Sequence, residues 1–502
     1  KNCFIAAIIF CSFQSYAQKR GNVWCFGDSA GINFNNASNP IPIATGLRTR
    51  GSCASISDTS GQLLFYANDR TNTPGDYTTL VYNRLHQIMP NGDSIVGEGW
   101  YNEMVIIPFP TNDSLYYLFV ISTALGPQGL YYSIINMNAD SGRGDVISKN
   151  IQLQTFSLVD CLTAIKHGNG RDWWLFFRRY DGTNATTNDK YMSYLISPAG
   201  ITNYHVQHVG SMMNTGLGQL KFNKQGNRLA FNSYKGTLEL YDFDRCTGIL
   251  SNPVTIYSEN TSPPWPSRCS SEFSSSDSLL YVCNNPSTST LFQYDLTAAN
   301  IAASAVTLWT TSYPLYCGGA LKRAPDDKIY FSCVYYNGMQ FPYPYADTMY
   351  NVYNMNLSVI NQPDSLGTAS DFQPYSFHLG GKRTYWGLPN NPDYDMPADS
   401  GSICDTLSSV GISEIETANH AEMFVSYIRE WQKLFINAQH LKGKNCLLQI
   451  IDMNGRFVFS SEKKTAPPYF TMDVNCVAFA KGMYIVSLQT EKEKLVKKFV
   501  KE

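Results

Sequence analysis

The stretch that decides the fold is GSCASISDTSGQLLFYA, which occupies residues 51–67. Its apolar residues extend to Ile56, a polar turn sequence runs from Asp58 to Gly61, and a second apolar run begins at Leu63. Asp and Gly favour tight turns because they bond their own backbone or accept positive φ without strain. The stretch therefore predicts a β-hairpin.

Similar hairpins recur five more times along the chain. The first apolar residues after the six turns are Leu63, Leu115, Trp173, Leu229, Leu279 and Ile329. Successive anchors are separated by 52, 58, 56, 50 and 50 residues. A repeat of this length that carries only strand signals is typical of a β-propeller, in which each repeat forms one small sheet around a central axis.

The runs after the turns are apolar at nearly every position, as in residues 63–66, 115–120 and 173–177. A strand with one face in water alternates polar and apolar residues, so both faces of these strands must be covered. The inner strands of a propeller meet this requirement because neighbouring blades pack on each side. The alternative is a β-sandwich with coincidentally spaced strands, which six matching hairpins disfavour.

Two further segments lie outside the six hairpins. Residues 21–34, GNVWCFGDSAGINF, predict a strand, a turn and a strand, and residues 384–390 read TYWGLPN. A propeller must close its ring, and a blade built from both chain ends removes the exposed sheet edge. We therefore predict an all-β fold with a propeller of seven blades, closed by N- and C-terminal strands. Six or eight blades stay open, because the strands of residues 334–371 are poorly marked.

The N-terminus predicts a secretory signal, because a short apolar run at residues 4–11 precedes the small residues that a signal peptidase reads. We expect a signal peptide over residues 1–17 and cleavage before Gln18. A lipoprotein signal at Cys11 is disfavoured, since a bulky residue precedes that cysteine. No other run approaches the roughly 18 apolar residues of a membrane-spanning helix, so we expect no transmembrane segment in the mature chain.

The charge of the chain is unevenly distributed. The 502 residues carry a net charge of −2, whereas residues 421–502 hold 13 Lys plus Arg against 8 Asp plus Glu, a balance of +5. The preceding part of the chain therefore carries −7. An acidic main body argues against nucleic acid as a partner.

The chain has 13 cysteines, and none has the CxxC or paired Cys/His spacing of a metal site. Four of them sit near the start of their hairpins: Cys53, Cys161, Cys269 and Cys317. We predict buried free thiols at these positions. The alternative is a disulfide across each of two turns, Cys269 with Cys283 and Cys317 with Cys333, which an oxidising compartment permits.

Three strings resemble segments of the propeller-like regions in secreted surface proteins of gliding, type IX-secreting bacteria. They are YNRLHQIMPNG at residues 82–92, AIKHGNG at 164–170 and GLPN at 387–390. The resemblance covers roughly residues 21–395. It implies a surface or adhesin-associated role without assigned chemistry.

Residues 390–420 are short of large apolar side chains and predict a solvated linker. We place the propeller at residues 18–395 and the linker at 396–420. The carboxylates of the segment are Asp393, Asp395 and Asp399. They lack the spacing and the closing Glu of a calcium loop, so no metal site is predicted there.

The C-terminal residues 421–502 carry three signals in order: LLQIIDMNGRFV at 447–458, KGMYIVSL at 481–488 and KLVKKFVK at 494–501. Together they resemble the type A sorting domain of type IX secretion, a small β-sandwich, over about residues 411–502. The resemblance implies recognition by an outer-membrane translocon and a location outside the cell or on the outer face of the outer membrane. The sorting-signal residues that it implies are Gly455, Arg456, Gly482, Tyr484, Lys497 and Lys498.

One segment of this domain gives conflicting signals. Five apolar residues fall at helical spacing and favour an amphipathic helix over residues 422–439: Phe424, Ile428, Trp431, Leu434 and Phe435. The family that the segment resembles has a strand, a Pro-rich turn and a second strand there, and this chain has YIRE at residues 427–430 in place of that turn. We predict strand, loop and strand.

No GxSxG elbow, HExxH helix, P-loop or GxGxxG is present, so we predict no catalytic residues, metal or cofactor. Two residue pairs are candidates for the axial channel: Asp160 with His167, and Glu272 with Arg268. Four aromatic residues are expected in the core rather than at a sugar site: Tyr116, Tyr117, Trp173 and Trp174. The Tyr-rich loop at residues 335–350 is the better binding candidate.

These observations predict a secreted or cell-surface, non-enzymatic propeller that binds a protein or a glycan. Its partners would be the type IX secretion translocon and an unidentified surface protein or glycan. The alternative is a secreted polysaccharide-degrading lyase or hydrolase with its site in the propeller funnel, which a cluster of Asp, Glu, His and Arg there would favour.

Overall fold

The structure is a computed structural model. It describes residues 19–71, 77–97, 101–122, 129–260, 262–263, 266–284, 288–312, 315–316, 319–335, 347–405, 421–428, 432–439, 441–443, 445–464 and 470–501. The predicted signal peptide lies outside these residues. The described chain is almost entirely β, and its helical pieces are three short 3₁₀ turns: Asp140–Gly142, Ala302–Ser304 and Gly367–Ser370. The all-β prediction is confirmed.

Seven antiparallel sheets follow one another in the described part of residues 23–378. The first has three strands: β1 (Val23–Phe26), β2 (Asp28–Asn33) and β3 (Ile41–Arg48). The second contains β4 (Cys53–Ser57), β5 (Leu63–Thr71), β6 (Tyr77–Asn83) and β7 (Ile95–Val96). The third contains β8 (Met104–Phe109), β9 (Asn112–Ser122), β10 (Gly129–Asn136) and β11 (Asp145–Gln154). The fourth contains β12 (Thr163–Lys166), β13 (Trp173–Arg178), β14 (Lys190–Ser197) and β15 (Gly200–His208).

The remaining sheets of this region repeat the arrangement. The fifth contains β16 (Gly218–Phe222), β17 (Arg228–Ser233), β18 (Leu238–Asp244) and β19 (Ile249–Tyr257). The sixth contains β20 (Arg268–Phe273), β21 (Leu279–Asn284), β22 (Thr288–Asp295) and β23 (Val306–Ser312). The seventh contains β25 (Leu321–Arg323), β26 (Ile329–Phe331), β28 (Asn356–Ile360) and β29 (Phe372–His378). A separate pair joins β24 (Leu315–Tyr316) to β27 (Val334–Tyr335).

Each of the six predicted hairpins forms the first two strands of one of these sheets, from β4–β5 to β25–β26. The second strands are buried on both faces, as the sequence predicts: every residue of β13 and of β21 is buried. The aromatic residues expected in the core lie there, with Tyr116, Tyr117, Trp173 and Trp174 at most 2% exposed.

The sheets are arranged as a ring. The first strand of each sheet contacts the first strand of the next, from β1 through β4, β8, β12, β16 and β20 to β25. The first and seventh sheets share an apolar cluster, in which the rings of Trp24 and Tyr330 lie 5.8 Å apart. Because β24 and β27 form an additional small sheet and residues 336–346 lie outside the description, the number of blades stays a prediction.

The two ends of the ring meet at a buried ion pair. The Arg383 guanidinium donates from Nε to Asp28 Oδ2 at 2.9 Å, and the two side chains are 3% and 9% exposed. The Asp28 N–H also donates to the Arg383 carbonyl at 2.8 Å. Gly27 has φ +62, and a Cβ there would lie 2.5 Å from that carbonyl, so glycine is required for the close approach.

This contact corrects the predicted composite blade. The three strands of the first sheet all come from residues 23–48, and the C-terminal segment adds one bridge, between Arg383 and Asp28. Residues 384–390 form no strand. The ring is therefore closed by an ion pair and backbone hydrogen bonds rather than by a strand from the C-terminal side.

Residues 421–501 form two further sheets. One contains β30 (Glu422–Ile428), β31 (Lys433–Gln439) and β34 (Phe470–Asn475). The other contains β32 (Asn445–Asp452), β33 (Phe457–Lys464), β35 (Gly482–Gln489) and β36 (Lys494–Lys501). They enclose their own core, which includes Leu434, Ile436, Leu448, Ile450 and Val486. The predicted small β-sandwich is confirmed.

The segment with conflicting signals forms two strands, β30 and β31, so the strand, loop and strand prediction is confirmed. The helical spacing arises because β31 is buried on both faces. Leu434 and Ile436 face the sandwich core, whereas Phe435, 5% exposed, belongs to an apolar cluster of the propeller. A second buried face breaks the alternation that a half-exposed strand shows.

Replacing Arg383 with Ala should lower the free energy of unfolding by about 1–3 kcal/mol, because Asp28 loses its buried partner and keeps the exposed Arg48, 3.3 Å away. Urea denaturation followed by tryptophan fluorescence measures the loss. The control is Arg143→Ala, which removes a more exposed ion pair with Asp140 and should cost less than about 1 kcal/mol. If the two variants lost the same free energy of unfolding, the proposed contribution of the ring closure to stability would be contradicted.

Candidate functional site

Residues 386–405, called the axial strap below, continue from the ring closure across the inner strands of the sheets. The Trp386 N–H donates to the Arg50 carbonyl at 3.1 Å, and the Asn390 N–H donates to the Cys53 carbonyl at 2.8 Å. The Tyr394 hydroxyl reaches the Ile106 carbonyl at 3.1 Å. The strap thus runs along the axis of the ring.

Two adjacent amides hold the strap to four sheets. The Asn390 side chain donates to the carbonyls of Met104 and Leu162, at 2.9 and 2.7 Å. The Asn391 side chain accepts from the Ser55 N–H at 2.9 Å, and its carbonyl accepts from Lys322 Nζ at 3.1 Å. Buried backbone groups need partners. The Asn390 amide donates to two carbonyls, whereas the Asn391 side chain accepts from a backbone N–H and its backbone carbonyl accepts from Lys322.

The far end of the strap is fixed covalently. Cys404 forms a disulfide with Cys246, which lies just after β18. Arg245 donates to the Pro397 carbonyl at 2.6 Å, and the Asp399 N–H donates to the Gly168 carbonyl at 2.7 Å. Residues 390–405 are therefore packed on the propeller, whereas the sequence predicts a solvated linker. The rest of the predicted linker, 406–420, lies outside the described residues.

The disulfide differs from the pairings weighed from the sequence. Cys333 is a buried free thiol, so the pairing of Cys317 with Cys333 is wrong. The side chain of Cys269 lies outside the description, so its pairing with Cys283 stays a prediction. Cys53 and Cys161 are buried free thiols, as expected.

Replacing Cys404 with Ser should lower the free energy of unfolding by about 2–4 kcal/mol, because the disulfide closes a long loop. Urea denaturation of the oxidised protein measures the effect. Adding reductant should weaken the wild type by the same amount and leave Cys404→Ser unchanged. A wild type whose unfolding does not respond to reductant would contradict the disulfide.

A cavity of about 510 Å³, called the axial cavity below, lies beside the strap. The first strands of five sheets line it with Trp24, Ile165, Lys221, Glu272 and Lys322. The strap contributes residues 390–396. The inner strands and the strap therefore converge on one concave site at the centre of the ring.

Four charged side chains that line the axial cavity form two ion pairs. Lys221 lies 2.6 Å from Glu272, whose other contacts include the Arg323 N–H at 2.9 Å. At the rim, Lys224 pairs with Asp327 at 2.9 Å. Paired charges of this kind bind polar ligands through hydrogen bonds without a large net charge.

Lys322 lies in the wall of the axial cavity and is 8% exposed. Its Nζ lies 5.5 Å from the centre of the Trp24 ring and donates to the Asn391 carbonyl. Burial and the neighbouring Lys221 charge lower the pKa of this amine to about 7. The amine tethers the strap in the wall through its hydrogen bond to the Asn391 backbone carbonyl.

Asp393 and Asp395 project from the strap into the axial cavity, while the intervening Tyr394 is buried in the opposite direction. Among the described residues, no cationic side chain lies within ion-pair distance of either carboxylate. Partial burial by the cavity walls and repulsion by Asp393 raise the pKa of Asp395 to about 7, although the residue stays exposed to solvent. The described residues contain no group of three or more His, Cys, Asp or Glu side chains that could hold a metal ion.

In neither of the two residue pairs predicted for the axial channel do the two members bind each other. Asp160 accepts from the Asn102 N–H at 2.7 Å, whereas the His167 ring bonds the Cys246 carbonyl at 2.9 Å within a turn. Glu272 lines the axial cavity but pairs with Lys221 rather than with Arg268. Sequence reasoning missed the strap amides and Lys322, because their role depends on contacts between residues far apart in the chain.

In the C-terminal sandwich, the predicted sorting residues divide into two kinds. Gly455 (φ +78) forms a turn in which Asp452 accepts from the Arg456 N–H at 3.0 Å and pairs with its guanidinium at 2.8 Å. Tyr484 is buried, and its ring stacks 5.2 Å from that of Phe499. Tyr484 is thus part of the core, whereas the Arg456 turn is exposed.

The basic ending is also divided between surface and core. Lys497 and Lys498 are exposed on β36. Lys501 is 6% exposed and donates to the carbonyls of Cys476 and Phe479 at 2.6 and 2.7 Å. The sequence does not single out this last lysine, because charge alone does not tell a buried anchor from an exposed one.

One face of the β33–β32–β35–β36 sheet exposes apolar side chains. They include Phe457, Met483, Ile485, Val496 and Val500, each at least 36% exposed. Met483 is opposite Val500 and Ile485 is opposite Lys498, so apolar and basic side chains lie side by side on this face. An exposed apolar face with a basic edge is typical of a protein-binding surface.

Residues 432–502 match the family described as secretion system C-terminal sorting domain. They carry a type IX secretion sorting tail. The chain is therefore a secreted or outer-membrane-attached protein. No helix in the described parts of the chain is both long and apolar enough to span a membrane.

Several solved structures resemble the chain in fold. The β-propeller domain of Cps50 (Swd1) from Myceliophteria thermophila is 11% identical, with 69% of this chain and 91% of that chain covered and a TM-score of 0.34. Hsv2 from Kluyveromyces lactis is 9% identical, with 68% and 90% covered and a TM-score of 0.34.

An auxiliary nutrient binding protein from Bacteroides thetaiotaomicron is 10% identical, with 56% of this chain and 66% of that chain covered and a TM-score of 0.34. No curated protein matches the chain in sequence. We draw no functional argument from likenesses of this size. The resemblance of residues 21–395 to surface proteins of gliding bacteria stays a prediction.

Proposed function

We propose that the chain is a non-enzymatic binding protein whose propeller binds a protein or a glycan in the axial cavity after export. The observation that carries this proposal is the cavity itself, about 510 Å³ in volume and formed jointly by the inner strands and the strap. Concave sites with a few convergent polar groups are where propellers and other folds hold small ligands or protruding groups.

Binding is favoured over catalysis at the cavity wall because the carboxylate of the inner strands, Glu272, is already engaged. Glu272 is held by Lys221 and by the Arg323 N–H. The Asn390 amide is likewise engaged with the carbonyls of Met104 and Leu162. A general acid or base must instead be free to exchange a proton with a substrate.

One observation supports a second candidate, a polysaccharide hydrolase. Asp393 and Asp395 face the same cavity, and Asp395 has a pKa raised to about 7, which suits a general acid at neutral pH. A pair of carboxylates at one concave site is the chemistry that glycoside hydrolysis uses. The same experiment tests both candidates.

The protein should bind at least one member of a panel of soluble polysaccharides and outer-membrane proteins, measured by calorimetry. Because Asp393 and Asp395 are the cavity carboxylates without an ion pair, the double change to Asn should weaken binding at least tenfold, about 1.4 kcal/mol. The control is Asp93→Asn, which changes an exposed carboxylate elsewhere.

New reducing ends or unsaturated sugars in the same incubations would favour the hydrolase or lyase instead, provided that Asp395→Asn abolishes them. If nothing in the panel binds, the proposed function is wrong.

We also propose that the translocon recognises the exposed apolar face of the sandwich together with Arg456 and Lys498. Lys497 is opposite the buried Val486, so it contributes from the other side of the edge strand β36. The positive balance of residues 421–502 favours an acidic surface on the partner. Gly455 and Gly482 act by holding the backbone at φ +78 and φ +150, where side chains with a Cβ are strained. Tyr484 acts through the core.

Deleting residues 421–502 should leave a folded propeller in the periplasm, because the sandwich has its own strands and core. Gly482→Val and the double change of Lys497 and Lys498 to Glu should each reduce the amount at the cell surface several-fold. Cell fractionation with immunoblotting measures the distribution. Lys382→Glu, on the propeller, is the matched control, and normal surface delivery of the deletion would refute the sorting role.

A further inference from the structure

Five aromatic rings form a strip at the outer strands of the sixth and seventh sheets. The aromatic strip consists of Trp309, Phe372, Tyr375, Tyr353 and Tyr335, and each of these side chains is partly exposed. Neighbouring ring centres are 5.5 Å apart for Trp309 and Phe372 and 5.9 Å apart for Trp309 and Tyr375. The series continues at 5.1 Å to Tyr353 and 5.7 Å to Tyr335.

The middle ring of the strip belongs to Tyr375, which has an unusual backbone conformation. Tyr375 has φ +52, a conformation that costs free energy for a bulky residue. It lies in a β-bulge of β29, where the pairing with β28 shifts between Leu357 and Val359. The Tyr375 N–H donates to Ser358 Oγ at 3.0 Å. Bulges re-aim side chains, and this one turns the Tyr375 ring between Trp309 and Tyr353.

The two outer strands beneath the strip carry no Asp, Glu, Lys or Arg. β23 reads VTLWTTS and β29 reads FQPYSFH. Exposed hydroxyl and amide groups stand beside the rings instead, from Thr307, Thr310, Gln373 and Ser376. The surface therefore offers aromatic rings and neutral hydrogen-bonding groups. The carboxylate that borders it, Asp371, accepts from Gln373 Nε2 at 2.6 Å, and a negative charge there disfavours acidic ligands.

We propose that the aromatic strip binds a single chain of a neutral polysaccharide. Sugar rings stack their C–H faces on aromatic rings, and the spacing of the strip is comparable to the length of one pyranose unit. Tyr residues supply such contact area at low entropic cost. This site deepens the proposed function and rests on it, since it names the ligand class and a second contact surface on the same propeller.

The angles between the rings narrow the class of polysaccharide further. Tyr375 makes angles of 75° with both Trp309 and Tyr353. A flat, crystalline polymer surface needs coplanar rings, whereas turned rings fit a chain that twists along its length. The strip is therefore suited to a soluble chain rather than to an insoluble fibre.

The test uses the full-length protein and calorimetry or affinity electrophoresis with soluble β-glucan, xylan and mannan, and with alginate and pectate as acidic probes. The wild type should bind at least one neutral polymer more tightly than either acidic one. Trp309→Ala and Tyr375→Asn should each weaken that binding at least tenfold. Tyr234→Asn, an exposed aromatic residue on the fifth-sheet side, is the matched control.

Tyr375→Asn separates binding from folding, because Asn tolerates positive φ while lacking the ring. Because the Tyr375 ring also packs against the apolar cluster of the sixth and seventh sheets, the urea midpoint of the variant is measured in parallel and binding is compared where both proteins are folded. Wild-type affinity in both strip variants would overturn this site. If the cavity variant of Asp393 and Asp395 alone then loses the polymer, the proposed function stands without the strip. Tighter binding of the acidic polymers would also overturn the inference, and binding of no probe would remove both proposals.

Discussion

The buried ion pair between Asp28 and Arg383 is the contact on which the rest of the propeller depends. In a repeating fold each sheet packs mainly on its two neighbours, so an open ring would leave two sheets half covered. The pair joins residues that are 355 positions apart, and the close approach at Gly27 brings the two backbones into contact. Two buried charges are costly unless they are matched, and a match of this kind also specifies which chain ends meet.

The axial strap follows directly from this closure, because it begins three residues after Arg383. Its course places the Asn390 and Asn391 amides and backbone groups against the inner strands. Its large apolar side chains, such as Leu388 and Met396, pack into the apolar clusters of the sheets. The inner strands begin with carbonyls that point toward that axis, and a polar strap satisfies them better than an apolar one would. The space that the strap leaves is the axial cavity, so the same segment seals the ring and shapes the candidate binding site.

Much of the fold was predictable, because the six hairpins repeat a local signal and their second strands are apolar on both faces. The strap was not predictable, because its composition resembles that of a solvated linker and its order comes from contacts with Met104, Leu162 and Cys246. In the sandwich, Phe435 gave a misleading helical spacing because it is buried against the propeller. The aromatic strip was only hinted at by the Tyr-rich loop, since Trp309 and Tyr375 come from different sheets.

The bond between Cys246 and Cys404 has a further consequence for a protein that works outside the cell. The chain between these residues contains the whole of the sixth and seventh sheets, so the bond encloses them in one covalent loop. An extracellular protease that cuts a surface turn within this loop separates no fragment, because both products stay attached through sulfur. Such nicked molecules would keep both the inner strands and the strap in one particle, and the damage would become visible only under reducing conditions.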